Sequence, residues 1–469
     1  MFKIFYLGFC IAHTPFVQII VDKGSMKVMD SSKISMSTTT EEAKQDLISN
    51  LPAIATDKIL KHLPIKMAAK MSVLSRKWRD NWLSQKHLVL DKTFWERDNH
   101  GISKTFWEID KREDKYGIIS SILFHHNGNI HEFHLFLPQM TRIKSIHLSQ
   151  WLSFLSKTNT EKLALINSKS TYIMPISSHI YLCKELLKLR LEHLALNPPP
   201  RYFNGFMKLQ SLELYNITFK NSSMIASLIA GCPRLIVLKL LCCSFNLDHL
   251  TIDLPSLESL VISVKRLGCL CFKSIVSLNN ISLCLDKRPE SHPTVLNSIR
   301  DLATSCQLQY LHFGGHLCEH LAAGGVTKSL PLSFNYLSKL CLTTIKINRV
   351  NVYHFAIGMV KSCPRIKDLE ILIRNEGKAV IQHEIDFDYR IDSYKLGHLT
   401  KVEFTGITGT IAELKFIEYL LAVSEVLELF LFKCNNLDAT SELKLSRDLL
   451  RLRRASTKAQ LICMEQHRI

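Results

Sequence analysis

Residues 209–262 read LQSLELYNITFKNSSMIASLIAGCPRLIVLKLLCCSFNLDHLTIDLPSLESLVI, and one short unit, apolar-x-x-apolar-x-apolar, occurs in them three times. The copies are Leu209-x-x-Leu212-x-Leu214, Leu235-x-x-Leu238-x-Leu240 and Leu257-x-x-Leu260-x-Ile262. On an extended chain the last two apolar residues of each copy point to one side and the residue between them to the other. A unit this small cannot bury its apolar edge alone. Successive copies must therefore stack strand beside parallel strand, with the intervening residues returning over the back.

Outward from this stretch the pattern continues in both directions. Upstream stand Leu186/Leu189/Leu191 and the weaker Thr160/Leu163/Leu165 and Ile143/Ile146/Leu148. Downstream stand Leu278/Ile281/Leu283, Leu308/Leu311/Phe313, Leu337/Leu340/Leu342, Ile366/Leu369/Ile371, Leu399/Val402/Phe404 and Val426/Leu429/Leu431. The mean step is about 26 residues, inside the 20–29 residue class of the leucine-rich repeat, which the pattern resembles. That resemblance implies an α/β fold, a right-handed leucine-rich-repeat solenoid shaped as a horseshoe with a parallel β-sheet on its concave face. Ile130, Phe133, Leu135 and Leu137 open the array, and Leu148 to Leu165 reads as strand, helix, strand.

The cysteines keep phase with the repeat. Cys183, Cys232 and Cys363 fall three residues before a first apolar position, Cys306 one residue closer, and Cys243 and Cys434 three residues after a last one. Recurrence in phase marks small buried side chains in the turns, and reduced thiols suit the cytoplasm or nucleus. Cys269-x-Cys271 and His316-x-Cys318-x-His320 are the tempting metal clusters, but neither has two pairs at zinc-site spacing. The expectation is no metal and no cofactor.

Before the array, residues 46–82 read DLISNLPAIATDKILKHLPIKMAAKMSVLSRKWRDNW. Proline is tolerated in the first turn of a helix but not inside one. Leu51-Pro52 and Leu63-Pro64 thus divide the run into helices over Thr56 to Leu63 and Ile65 to Ser75, with a third beginning near Arg76. So small a bundle cannot hide its apolar residues alone, and the remainder reads as an interface. The ordered set Asp46-x-Ile48-Ser49, Leu51-Pro52, Ile59-Leu60, Leu63-Pro64, Ala68, Ser72-Val73-Leu74-Ser75, Arg76-x-Trp78 and Trp82 resembles the F-box, the adaptor-binding module of SCF-type ubiquitin ligases. Met67 stands where plant members often carry an acidic residue. The resemblance implies contact with a Skp-type adaptor through Leu51, Pro52, Ile59, Leu60, Leu63, Pro64, Val73, Leu74 and Trp78.

Near the other end, Leu396 to Cys434 combines strand, Gly-rich turn, helix and strand. It resembles the FBD region of a plant F-box family through Leu399, Val402, Phe404, Gly406, Gly409, Glu413, Phe416, Tyr419, Leu420, Leu421 and Leu427. The expected organisation is an N-terminal extension or start-site artefact at 1–44, an F-box at 45–90, a linker at 91–129 in which TFWE occurs at Thr93 to Glu96 and Thr105 to Glu108, a leucine-rich-repeat solenoid at 130–395, FBD-like terminal repeats at 396–436 and a basic tail at 437–469.

The chain carries 59 basic and 42 acidic residues, a net charge of +17, but the basic residues are scattered and form no nucleic-acid arm. The apolar start MFKIFYLGFCIAHTPFVQIIV is interrupted by His13 and Pro15 and falls short of the roughly 20 residues of a membrane span. Phosphate-loop, G-x-S-x-G and H-E-x-x-H motifs are absent. The expectation is a non-catalytic specificity subunit of a cullin-RING E3 ligase in the nucleus or cytoplasm, with no nucleic-acid or membrane partner. Its F-box docks the adaptor, and its repeats bind a target protein through outward strand residues such as Arg190, Glu213, Lys239 and Glu370. The alternative is a non-degradative leucine-rich-repeat scaffold.

Overall fold

The computed structural model describes residues 51–464, apart from 97–111, 139–143, 169–172, 221–222, 287–298, 300–301, 305, 324–332, 375–393 and 436. The N-terminal extension, the second TFWE copy and the residues Asp46, Ile48 and Ser49 lie outside the described residues.

One sheet of 14 strands runs through the molecule from His87–Leu90 to Gln460–Cys463, each strand hydrogen-bonded to the next along the chain and every pairing parallel. Its apolar alternation is the one the repeats dictate. Leu189 and Leu191, Leu212 and Leu214, Leu238 and Leu240, and Leu340 and Leu342 are all buried. Most return segments are helical, among them Ser223–Ala230, Val350–Lys361 and Ile411–Val423. Their buried faces complete one continuous core.

The thiols at the turns have a specific task. The Sγ–H groups of Cys232, Cys306 and Cys363 donate to the carbonyls of Leu228, Leu302 and Met359 at 3.2, 3.0 and 3.1 Å. Each thiol reaches the carbonyl four residues before it, near the end of a return helix, where backbone N–H donors run out. The turn before Ile411–Val423 is held by Glu413. This buried carboxylate accepts from the backbone N–H groups of Thr408, Gly409 and Thr410 at 3.0, 2.7 and 3.0 Å, while Thr410 caps the helix in return. Gly406 in the same segment adopts φ +83°, and a Cβ there would lie 2.4 Å from the Ile373 carbonyl oxygen.

Three expectations need correction. Ile146 and Leu148 are not strand residues: Ser145–Leu155 is a helix burying Leu148, Trp151, Leu152 and Leu155. That i, i+3, i+4, i+7 spacing is the helical period, and it overrides the weaker repeat pattern. In the last full repeat the phase slips by one residue. Leu429–Cys434 buries Phe430 and Phe432, so the unit is Leu427-x-x-Phe430-x-Phe432 rather than Val426/Leu429/Leu431. Two interleaved apolar sets occupy that strand, and the core takes the bulkier aromatic pair.

The array is also longer than 130–436. His87–Leu90 pairs with Glu132–Leu137 ahead of the expected linker, and Ala439–Arg451 with Gln460–Cys463 adds a helix and strand within the expected tail. The first TFWE copy forms the one-turn helix Lys92–Trp95, capped by Asp91. Phe94 enters the core, and the Trp95 indole N–H donates to the Phe136 carbonyl at 2.5 Å.

Candidate functional site

Ahead of the sheet stand three short helices, Ala53–His62, Ile65–Met71 and Arg76–Leu83, started by Pro52, Pro64 and Ser75. The Ser75 hydroxyl accepts from the Trp78 N–H at 3.3 Å. Leu60, Ala68 and Trp78 form the centre of the bundle, with Leu51, Leu63, Met71 and Trp82 packed around it. Asn81 Nδ2 donates to Thr56 Oγ1 at 3.1 Å, and Gln85 Nε2 to the Leu60 carbonyl at 3.1 Å, crosslinking the first helix to the third and its exit. Ile65 and Trp82 also touch the solenoid core, so the bundle is welded to the sheet.

This geometry divides the expected adaptor contacts in two. Leu60 and Trp78 are buried and Leu51 and Leu63 are half-buried, so those four hold the bundle together. Pro52, Ile59, Pro64, Val73 and Leu74 are exposed, Val73 at 83% and Leu74 at 57%. The structure adds Ile54, 74% exposed, and Met67, 47% exposed. Their signal in the sequence was position: each falls off the stripe formed by Thr56 and Leu60 or by Ile65 and Ala68. Exposed apolar side chains in this number on three short helices make the bundle a candidate protein interface.

The outward face of the sheet is the second candidate surface. Strand register aligns Arg190, Glu213 and Lys239 on three neighbouring strands, and the same row runs on through Val261, Ser282, His312 and Cys341 to Glu370. All four expected target contacts therefore lie on one line, with Glu370 five strands from Lys239. The charges are largely paired in place. Lys239 Nζ lies 3.2 Å from Glu213 Oε1, the Tyr215 hydroxyl donates to Glu213 Oε2 at 2.9 Å, and the Arg190 guanidinium sits 4.8 Å above the Tyr215 ring.

At the other end Glu370 joins groups that the sequence did not single out: Lys339 Nζ at 3.2 Å and the Cys341 thiol, which donates at 3.3 Å. Burial acts to raise the Glu370 carboxyl, but the Cys341 hydrogen bond and the Lys339 charge outweigh it, and the pKa is held below the usual carboxylate range. His312 lies between Ser282 Oγ and Thr343 Oγ1, 2.7 Å from each, with its pKa pushed down to about 4 by burial. Only strand register brings these residues together. The His316-x-Cys318-x-His320 pattern comes apart, because Cys318 points into the core.

Comparison with known proteins agrees with this architecture. Residues 148–300 match the family model described as FBD-associated F-box protein At5g56370, LRR repeats. The F-box/FBD/LRR-repeat protein At1g13570 of Arabidopsis thaliana is 28% identical over 439 residues, covering 90% of this chain and 99% of that protein. The chain is similar along nearly its whole length to F-box/FBD/LRR-repeat proteins of Arabidopsis thaliana. A putative F-box/FBD/LRR-repeat protein of the same plant, At2g05300, is 25% identical across 91% of this chain and 98% of its own length. The residues that match the repeat model lie within the parallel sheet and its return segments.

Proposed function

We propose that the chain is the substrate-receptor subunit of an SCF-type (cullin-RING) E3 ubiquitin ligase and has no catalytic residue of its own. The three-helix bundle is its F-box and docks a Skp-type adaptor. The repeat array, with the FBD-like segment inside it, captures a target protein on its outward strand row. Holding the target near a charged conjugating enzyme contributes proximity, which lowers a barrier without any reacting side chain. Nucleus and cytoplasm are the compartments in which such a complex works.

The observation that carries this reading is the exposed apolar set Pro52, Ile54, Met67, Val73 and Leu74, presented on a bundle whose own core is already filled by Leu60 and Trp78. Apolar surface that the bundle's own core does not use is what a docking module needs. The test is capture of the full chain by a purified Skp-type adaptor. The wild type is retained, and the Val73→Asp/Leu74→Asp variant passes through at unchanged melting temperature. Equal retention of both, or of neither, overturns the assignment and leaves the repeat scaffold as the reading.

A further inference from the structure

Strands Val237–Ile252 and Ser259–Phe272 run on well past the length of their neighbours, and their far ends carry a group of soft ligands that the docking surfaces do not use. Register sets Cys269 opposite His249, Leu270 opposite Leu250 and Cys271 opposite Thr251. Leu250 and Leu270 are fully buried. Side chains alternate along a strand, so His249, Thr251, Cys269 and Cys271 all fall on the other, solvent-accessible face. There the two thiol sulfurs lie 3.2 Å apart, and a His249 ring nitrogen and both sulfurs lie within 4.8 Å of one another. Thr251 Oγ1 is 3.3 Å from His249 Nε2 and steadies the ring.

We propose that His249, Cys269 and Cys271 form a Cys2His site for a thiophilic cation, zinc in particular, with the fourth position open to water or to a side chain of a bound partner. Zinc takes sulfur at about 2.3 Å in tetrahedral geometry, which sets the two sulfurs about 3.8 Å apart. The thiols thus need to part by only about half an ångström, a small side-chain rotation. Two thiolates and a neutral imidazole balance the charge of Zn2+, and binding releases the two thiol protons to solvent. Oxygen-seeking cations such as Ca2+ or Mg2+ find no carboxylate among these ligands. The ion ties the long strands together beyond the register shifts between Ser263 and Arg266. Sequence spacing could not reveal the set, because its third ligand comes from the preceding strand.

A second group, Cys434, Glu442 and Cys463, also lies within 4.8 Å and serves as the internal control. The reduced full chain is titrated with Co2+, read by thiolate-to-cobalt charge transfer, and then with Zn2+ against a chromophoric chelator. Cys269→Ser/Cys271→Ser is expected to hold one equivalent less than the wild type. His249→Ala, a change at an exposed position, is expected to weaken that equivalent by at least about tenfold, the loss that disturbing even an outer partner of a metal ligand causes. Cys463→Ser is expected to keep it. Absence of cobalt and zinc binding in the wild type overturns the site. So does wild-type stoichiometry and affinity in both the double variant and His249→Ala. Adaptor capture plays no part in this measurement, so the result stands apart from the ligase reading.

Discussion

His312 Nε2 lies 2.7 Å from Thr343 Oγ1 on one neighbouring strand, while its Nδ1 lies 2.7 Å from Ser282 Oγ on the other. A neutral imidazole can donate through one nitrogen and accept through the other, so it bridges three strands of the outward row without carrying a charge. Burial pushes its pKa from 6.5 down to about 4. Between those values the unfolded chain holds a proton that the folded chain does not. Stability therefore falls as pH falls through that window, by up to about 1.4 kcal/mol per pH unit from this group. His312→Gln keeps a donor and an acceptor and removes the titration. Urea unfolding at several pH values from neutral down to 4 should show a shallower acid loss in the variant, and parallel curves would count against a neutral, bridging His312.

Val73 and Leu74 should separate binding from stability. Full burial of each against an adaptor is worth about 1.5–3 kcal/mol, so replacing both with Asp should weaken association by at least about tenfold, and melting should not change. Trp78→Ala, by contrast, empties the bundle centre and should destabilise it by about 3–5 kcal/mol. Calorimetric titration with the adaptor and thermal melts of both variants decide whether exposed and buried members of the same motif play these two roles.

The phase of the last full repeat has its own test. Phe430→Ala should cost about 3–5 kcal/mol and Leu240→Ala, in a central repeat, about 2–5 kcal/mol. Leu431→Ala, on the outward face, should cost well under half as much as Phe430→Ala. A Leu431 loss equal to that of Phe430 in chemical denaturation would restore the Leu429/Leu431 frame.

Gly406 should tolerate no side chain. Its φ of +83° and the Ile373 carbonyl in the way make Gly406→Ala destabilising by about 2 kcal/mol or more. Gly397 has nothing within 4 Å of an added Cβ, and Gly397→Ala should melt within a few degrees of the wild type. Equal melting temperatures for the two variants would refute the steric argument.

The sequence by itself determined the parallel array, because the apolar-x-x-apolar-x-apolar unit carries strand, buried face and period within six residues. Cys183, Cys232, Cys243 and Cys363 likewise gave away their burial through their phase. It also placed the three helices through two prolines. Where two local patterns competed the sequence could not choose: Leu148 belongs to both a strand unit and a helical stripe, and Phe430 and Leu431 are equally apolar neighbours.

Only the tertiary structure decided which motif residues face solvent. Leu60 and Val73 look alike in the sequence, but Leu60 is packed against Ala68 and Trp78 whereas Val73 is 83% exposed. Exposure is a relation between elements, not a property of one. The same holds for His249 beside Cys269 and for His312 between Ser282 and Thr343. Those partners are about 20 to 30 residues apart in the chain and meet only because parallel register returns each repeat to the same height.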